Sequence, residues 1–121
     1  MIEKDNICKL IEGKKDLFIE VSDRVWEYAE LGLEEFKSTE VICNALEKEG
    51  FAIKKGLAGI ETAFVGSYGE GEPVIAILGE YDALPGLSQR KASYVKEEVK
   101  EGGNGHGCGH NLLGAGSLAA A

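Results

Sequence analysis

Both histidines of the chain and one of its three cysteines fall within Gly102-Gly103-Asn104-Gly105-His106-Gly107-Cys108-Gly109-His110-Asn111, together with five glycines. Cys108 and His110 stand two apart, and His106 stands four before His110. Thiolate and imidazole are the ligand pair that Zn²⁺ and its neighbours prefer. Glycine at alternate positions removes side-chain bulk and permits positive φ, so the backbone can fold tightly around an ion. The stretch reads as half of a metal site. Structural zinc takes roughly four protein ligands and catalytic zinc roughly three plus water, so Cys108 and His110 need further donors.

A second acidic pair stands upstream. Val74-Ile75-Ala76-Ile77-Leu78 is apolar at each position, which predicts a strand buried on both faces in an α/β sheet. Gly79-Glu80-Tyr81-Asp82-Ala83-Leu84-Pro85-Gly86 comes directly after it, at the carboxyl end where open α/β sheets bind their ligands. If the chain stays extended, Glu80 and Asp82 point the same way. Two readings stand: donors for the site or its surroundings, or solvated loop acids and a cap for the next element.

Other chemistries fail on spacing. No lysine follows the glycines as a P-loop demands. The glycines at 103, 105, 107 and 109 follow a charged excursion rather than a strand, so a dinucleotide fingerprint does not fit. The chain has no Cys-x-x-Cys, hence no thioredoxin or zinc-ribbon signature. A Cys–His nucleophile pair ranks low, because residues two apart in a loop seldom present base to thiolate.

The elements that must position these residues follow from periodicity. Asp5 or Asn6 caps a first helix, with Ile7, Leu10, Ile11, Phe18, Val21, Val25 and Tyr28 as its apolar stripe. Trp26 and Tyr28, two apart on that helix, diverge and serve packing rather than ligand stacking. Leu31-Gly32-Leu33 breaks the pattern. A second helix starts at Glu35 or Ser38, buries Val41, Ile42, Ala45 and Leu46, and stops at Gly50. Phe51 to Lys54 reads as an edge strand, Thr62 to Tyr68 as a better one, and Gly69 to Pro73 as a turn. Gln89 to Glu101 predicts a polar surface excursion with a helical turn or two. Leu112 to Ala121 has no polar face and predicts a buried helix packed through small residues. That apolar pattern runs to the last residue, so the 121 residues are expected to be the N-terminal part of a longer protein.

Composition narrows the class. Hydrophobic residues at 44% and charged residues at 28% are the balance of a soluble globular domain. A net charge of −8 argues against a nucleic-acid partner, which clustered Lys and Arg would bind. No apolar run approaches the roughly 18–20 residues of a membrane span, and Met1 to Asp5 lacks the apolar stretch of a signal peptide. Cys8, Cys43 and Cys108 are odd in number and irregular in spacing, which fits a reducing cytoplasm better than a disulfide framework. Cys8 and Cys43 lie at helical apolar positions and read as small buried hydrophobes.

With these residues in view, a family resemblance emerges. Gly79-Glu80-Tyr81-Asp82-Ala83-Leu84-Pro85-Gly86-Leu87-Ser88-Gln89, followed by Gly105 to Gly114, resembles the M20 family of metallopeptidases and amidohydrolases. The likeness is closest to its aminobenzoyl-glutamate hydrolase and aminoacylase-like branch. Trp26 through Gly50, with Glu30-Leu31-Gly32-Leu33-Glu34-Glu35-Phe36, is similar to the family's opening helical pair.

The resemblance implies an α/β fold: the N-terminal part of a three-layer catalytic domain, a mainly parallel or mixed sheet flanked by helices. It implies one or two divalent ions, Zn²⁺ or Mn²⁺, and metal-bound water attacking the amide of an N-acyl amino acid, aminobenzoyl-glutamate-like or dipeptide-like substrate. By position, Cys108 and His110 match metal ligands, and Asp82 matches the aspartate that orients the catalytic site. His106 matches a histidine near the site. Glu80 stands where many members carry a metal-binding histidine, and Asn111 where many carry aspartate. The general-base glutamate and remaining ligands would lie beyond Ala121, which makes the fragment alone inactive. A homodimer or a hetero-oligomer is the assembly implied for the full-length protein. The rival readings are a non-catalytic metal-binding or regulatory subunit of the same fold, and a thiol protein working through Cys108.

Overall fold

The computed structural model describes residues 4–121. Of the N-terminal stretch read above, Met1 to Glu3 lie outside the described residues. In chain order come α1 (Lys4–Gly13), α2 (Lys15–Tyr28), α3 (Phe36–Lys48), β1 (Ala52–Lys55), a 3-10 turn (Leu57–Gly59), β2 (Phe64–Ser67) and α4 (His110–Ala120). The α/β class expected from the sequence holds, with four helices and one two-stranded antiparallel sheet among the described residues.

The single N-terminal helix expected from the apolar stripe is two helices. Gly13, a poor helix former, ends the first, and Lys14 at φ −111° leaves helical geometry before the second begins. No residue of α1 is buried. Cys8 is therefore exposed rather than a core hydrophobe, whereas Cys43 on α3 is fully buried as expected. α3 begins at Phe36 and gives way at Gly50, whose φ of +91° no side-chain-bearing residue adopts easily.

Val21 and Val25 of α2, Ile42, Ala45 and Leu46 of α3, and Ala115 of α4 form the buried core. α4 approaches closely because Gly114 has no side chain. A Cβ there would stand 3.1 Å from the Tyr81 Cβ and 3.2 Å from the Glu80 carbonyl oxygen. The expectation that α4 is buried all round is corrected. Asn111, Gly114 and Ala115 face inward, while Leu112 is 67% exposed, because the helix packs along one face only.

Two further expectations change. Val74 to Leu78 has no regular secondary structure and is in no ladder, with Val74 and Leu78 more than four-fifths exposed. Among the described residues none pairs with it, so its backbone has no neighbour to make it a strand. Gln89 to Glu101 forms turns and bends but no helix. Its amides find side-chain acceptors instead of helical carbonyls: Val99 and Lys100 both donate to Ser88 Oγ, and Glu97 to Gln89 Oε1. No helix among the described residues is long and apolar enough to cross a membrane.

The three free cysteines should differ in reactivity. Burial pushes the Cys43 thiol up to about 11, with Lys55 opposing and Glu47 adding to the shift, and only thiolate is nucleophilic. Iodoacetamide at pH 8 should label Cys8 and Cys108 of the chelator-treated protein and spare Cys43 until denaturant is added. Peptide mass spectrometry checks this, and equal labelling of all three in the folded protein would contradict the packing.

Candidate metal centre

The acidic strip is held from three directions. The Ala83 amide donates to the Glu30 carbonyl at 2.7 Å, within a parallel bridge between Leu31 and Ala83. The Tyr81 hydroxyl reaches the Thr62 carbonyl at 2.5 Å and Thr39 Oγ1 at 2.9 Å. Leu84 pairs with Gly105 through two reciprocal backbone bonds of 2.9 Å, and the Ser88 amide donates to the Gly103 carbonyl. With Tyr81 anchored inward, alternation sends Glu80 and Asp82 to the other side.

The glycine loop lies against this strip because Gly105 offers no Cβ. One built there would stand 1.8 Å from the Leu87 carbonyl oxygen, which no adjustment of rotamers relieves. His106, 4% exposed, points back into the fold. Its Nε2 lies 2.9 Å from the Val25 carbonyl and its ring stacks on Trp26 at 6.1 Å. Donation to that carbonyl assigns the proton to Nε2, and among the described residues Nδ1 makes no hydrogen bond that meets the usual geometry. Burial holds its pKa below the ordinary histidine value, so the ring is a neutral anchor behind the site. Gly109, at φ +73°, then turns the chain into α4.

His110 opens α4 and meets the acidic strip. Its Nδ1 stands 2.7 Å from Asp82 Oδ1, and its Nε2 stands 3.4 Å from Glu80 Oε2. Donor atoms of Glu80, Asp82 and His110 all lie within 4.8 Å of one another. Oxygen and imidazole donors so gathered suit Zn²⁺ or Mn²⁺. A carboxylate at Nδ1 orients the ring and points Nε2 away from Asp82, as in histidines whose carboxylate partner lies behind a metal. Cys108 is exposed on the turn before His110 and does not belong to that three-residue group.

Glu30 was not singled out for the site from sequence. Its carboxylate accepts the Lys37 and Ser38 amides and the Ser38 hydroxyl, the otherwise unpaired donors at the start of α3. Its carbonyl holds Ala83, the residue after Asp82. The available signal was its position at the helix break, one residue before Leu31-Gly32.

No family model matches the chain. Individual proteins do. One subunit of the p-aminobenzoyl-glutamate hydrolase of Escherichia coli is 47% identical over 111 residues, 92% of this chain and 23% of that protein. Thermostable carboxypeptidase 1 of Saccharolobus solfataricus is 30% identical over 99 residues, 80% of this chain and 24% of its own length. The N-acetyl-L-cysteine deacetylase of Bacillus subtilis is 33% identical over 121 residues, 98% of this chain and 28% of its own. The chain thus spans about a quarter of the length of the curated relatives it matches.

Substituting the contact glycine tests the placement of the loop. Gly105→Ala should lower stability by at least the about 1–3 kcal/mol typical of overpacking, because the added methyl meets backbone. Gly107→Ala should cost less, since its methyl meets mainly the flexible end of Leu87. Denaturant midpoints of the two variants check the order, and a reversed order would contradict the Leu84–Gly105 contact.

Proposed function

The chain belongs to the M20 family of metallopeptidases and amidohydrolases, and from that membership we propose that the whole protein is a metal-dependent hydrolase of amide bonds. Its substrates are N-acyl amino acids, aminobenzoyl-glutamate-like conjugates or small peptide-like molecules. The observation that carries this reading is His110 held by Asp82 on Nδ1 with Nε2 turned toward Glu80. The relatives' names support the reaction type: one hydrolyses p-aminobenzoyl-glutamate, another deacetylates N-acetyl-L-cysteine.

His110 and Cys108 are assigned as ligands of one or two ions, Zn²⁺ or Mn²⁺. His110 binds through Nε2, the nitrogen that Asp82 leaves free. Cys108, exposed and flanked by glycines, brings a thiol able to turn toward the same ion. A divalent ion in such a site supplies Lewis acidity, polarising the scissile carbonyl and easing deprotonation of water. Asp82 holds His110 in one orientation and one tautomer, so no reorganisation is needed when the ion binds. A glutamate outside these 121 residues is assigned the proton transfer.

Two partners are proposed beyond the substrate: a second copy of the protein, or a different polypeptide, since one relative is named as a single subunit of its hydrolase. A cytoplasmic setting is proposed from the unpaired thiols. The exposure of Cys108 favours one rival, a thiol protein that uses this side chain directly.

In the complete protein, Cys108→Ala and His110→Ala should each abolish stoichiometric Zn or Mn by elemental analysis, together with hydrolysis of N-acyl amino acids. Asp82→Asn should weaken metal affinity by about 10–100-fold, the usual effect of removing the partner behind a ligating histidine. Cys108→Ala that retains the metal but loses alkylation and activity would replace the metal reading with the thiol one.

A further inference from the structure

We propose that the groove between the end of α2 and residues 88–105 is a ligand site distinct from the metal centre, and that its ligand is a small aromatic carboxylate. The cavity measures about 780 Å³, within the about 300–1,000 Å³ of small-molecule sites. Neither Glu80, Asp82 and His110 nor Cys108 borders it. Trp26 and Tyr28 both do, although they stand two apart on α2, because the groove runs around the end of that helix at the Ala29 cap.

The walls are fixed by contacts of their own. Trp26 stacks on the buried His106 at 6.1 Å, and Lys37 Nζ lies 5.7 Å from the centre of the Tyr28 ring. On the facing side the Ser88 amide donates to the Gly103 carbonyl. The Ser88 hydroxyl oxygen, on a buried residue, accepts the Val99 and Lys100 amides. Lys91 ties this segment to Asp23 and Glu27 of α2 at 3.1 and 3.4 Å. The width of the slot is therefore set by bonds within the protein. Two fixed rings at its edge favour a flat aromatic partner, held by offset stacking or edge-to-face contact.

The charge of the groove sets the sign of the ligand. In a chain of net charge −8, Arg90, Lys91 and Lys100 border it against one carboxylate, Glu27. Lys91 answers Asp23 and Glu27, and Arg90 pairs with Glu97 at 2.9 Å. Among the described residues the Lys100 ammonium makes no ion pair and the Asn104 carboxamide, also at the border, makes no hydrogen bond. Two such donors suit a carboxylate. Hydrolysis of an aroyl amino acid conjugate, among the substrates proposed above, would release such an acid, but the site does not depend on that reading.

The test is titration of the complete, isotope-labelled protein by nuclear magnetic resonance, after chelator treatment has removed any ion that a carboxylate could bind instead. The indole N–H signal of Trp26, identified by its loss in Trp26→Phe, reports occupancy. Benzoate should shift it saturably, with half-saturation below about 10 mM, and equally in His110→Ala. Lys100→Ala should weaken binding about three-fold or more with the thermal midpoint unchanged, and Tyr28→Leu by a similar factor. Benzylamine and cyclohexanecarboxylate should bind more weakly than benzoate. No saturable shift, or its loss in His110→Ala, overturns the site. Equal binding of benzylamine or full affinity in Lys100→Ala overturns the anion assignment, and equal binding of cyclohexanecarboxylate overturns the aromatic one. The metal reading is untouched by these outcomes and is tested separately by elemental analysis.

Discussion

The arrangement of the site depends on one contact between two stretches of backbone. Leu84 and Gly105 exchange amide and carbonyl bonds at 2.9 Å, and the Leu87 carbonyl occupies the space that any Cβ on residue 105 would need. No side chain intervenes, so the acidic strip and the histidine loop are held at a separation set by backbone hydrogen bonds and van der Waals contact. Five residues after the contact, His110 arrives beside Asp82, two residues before Leu84 on the other stretch. Close packing transmits small displacements rather than absorbing them. The precision of the Asp82–His110 bond is thus inherited from a pair of peptide groups rather than from the two side chains.

Much of this was legible because period and spacing act locally. The alternation that puts Glu80 and Asp82 on one side of an extended chain is a property of the backbone itself, and both side chains do reach His110. The stop at Gly50 and the strands near Ala52–Lys55 and Phe64–Ser67 were readable for the same reason. What sequence could not supply was partnership. The glycines were read as room for an ion, whereas Gly105 makes room for the Leu87 carbonyl. Cys108 and His110 looked equivalent by spacing, yet only His110 converges with the acids among the described residues. His106, fitted by position to the vicinity of the site, turns out to be the buried bolt that ties the loop to Val25 and Trp26.

The misreadings share a cause. Val74 to Leu78 has the composition of a central strand, but strand structure is a relation between two chains of peptide groups. Leu31–Ala83 is the one parallel bridge among the described residues, and it lies beyond that segment. Cys8 sits on a well-formed amphipathic stripe, yet among the described residues nothing buries any side chain of α1. In Gln89 to Glu101 a weak helical stripe lost to side-chain acceptors that hold the amides more locally. In each case the pattern states what a segment is suited for, and the neighbours decide whether it happens.

Electrostatics explains why the fold must hold the site so firmly. Two carboxylates and one imidazole are gathered within 4.8 Å in a chain already carrying eight excess negative charges. Mutual repulsion would spread such groups apart if only flexible side chains positioned them. Here the Glu80 and Asp82 backbones are clamped by Gly114, Tyr81 and Ala83, so that only side-chain rotation can move the carboxylates apart. Asp82 pairs with His110 at Nδ1, which leaves the Glu80 carboxylate the less engaged of the two. A site prearranged in this way gives up little conformational freedom when a cation arrives, and the repulsion it carries beforehand adds to the attraction the cation finds.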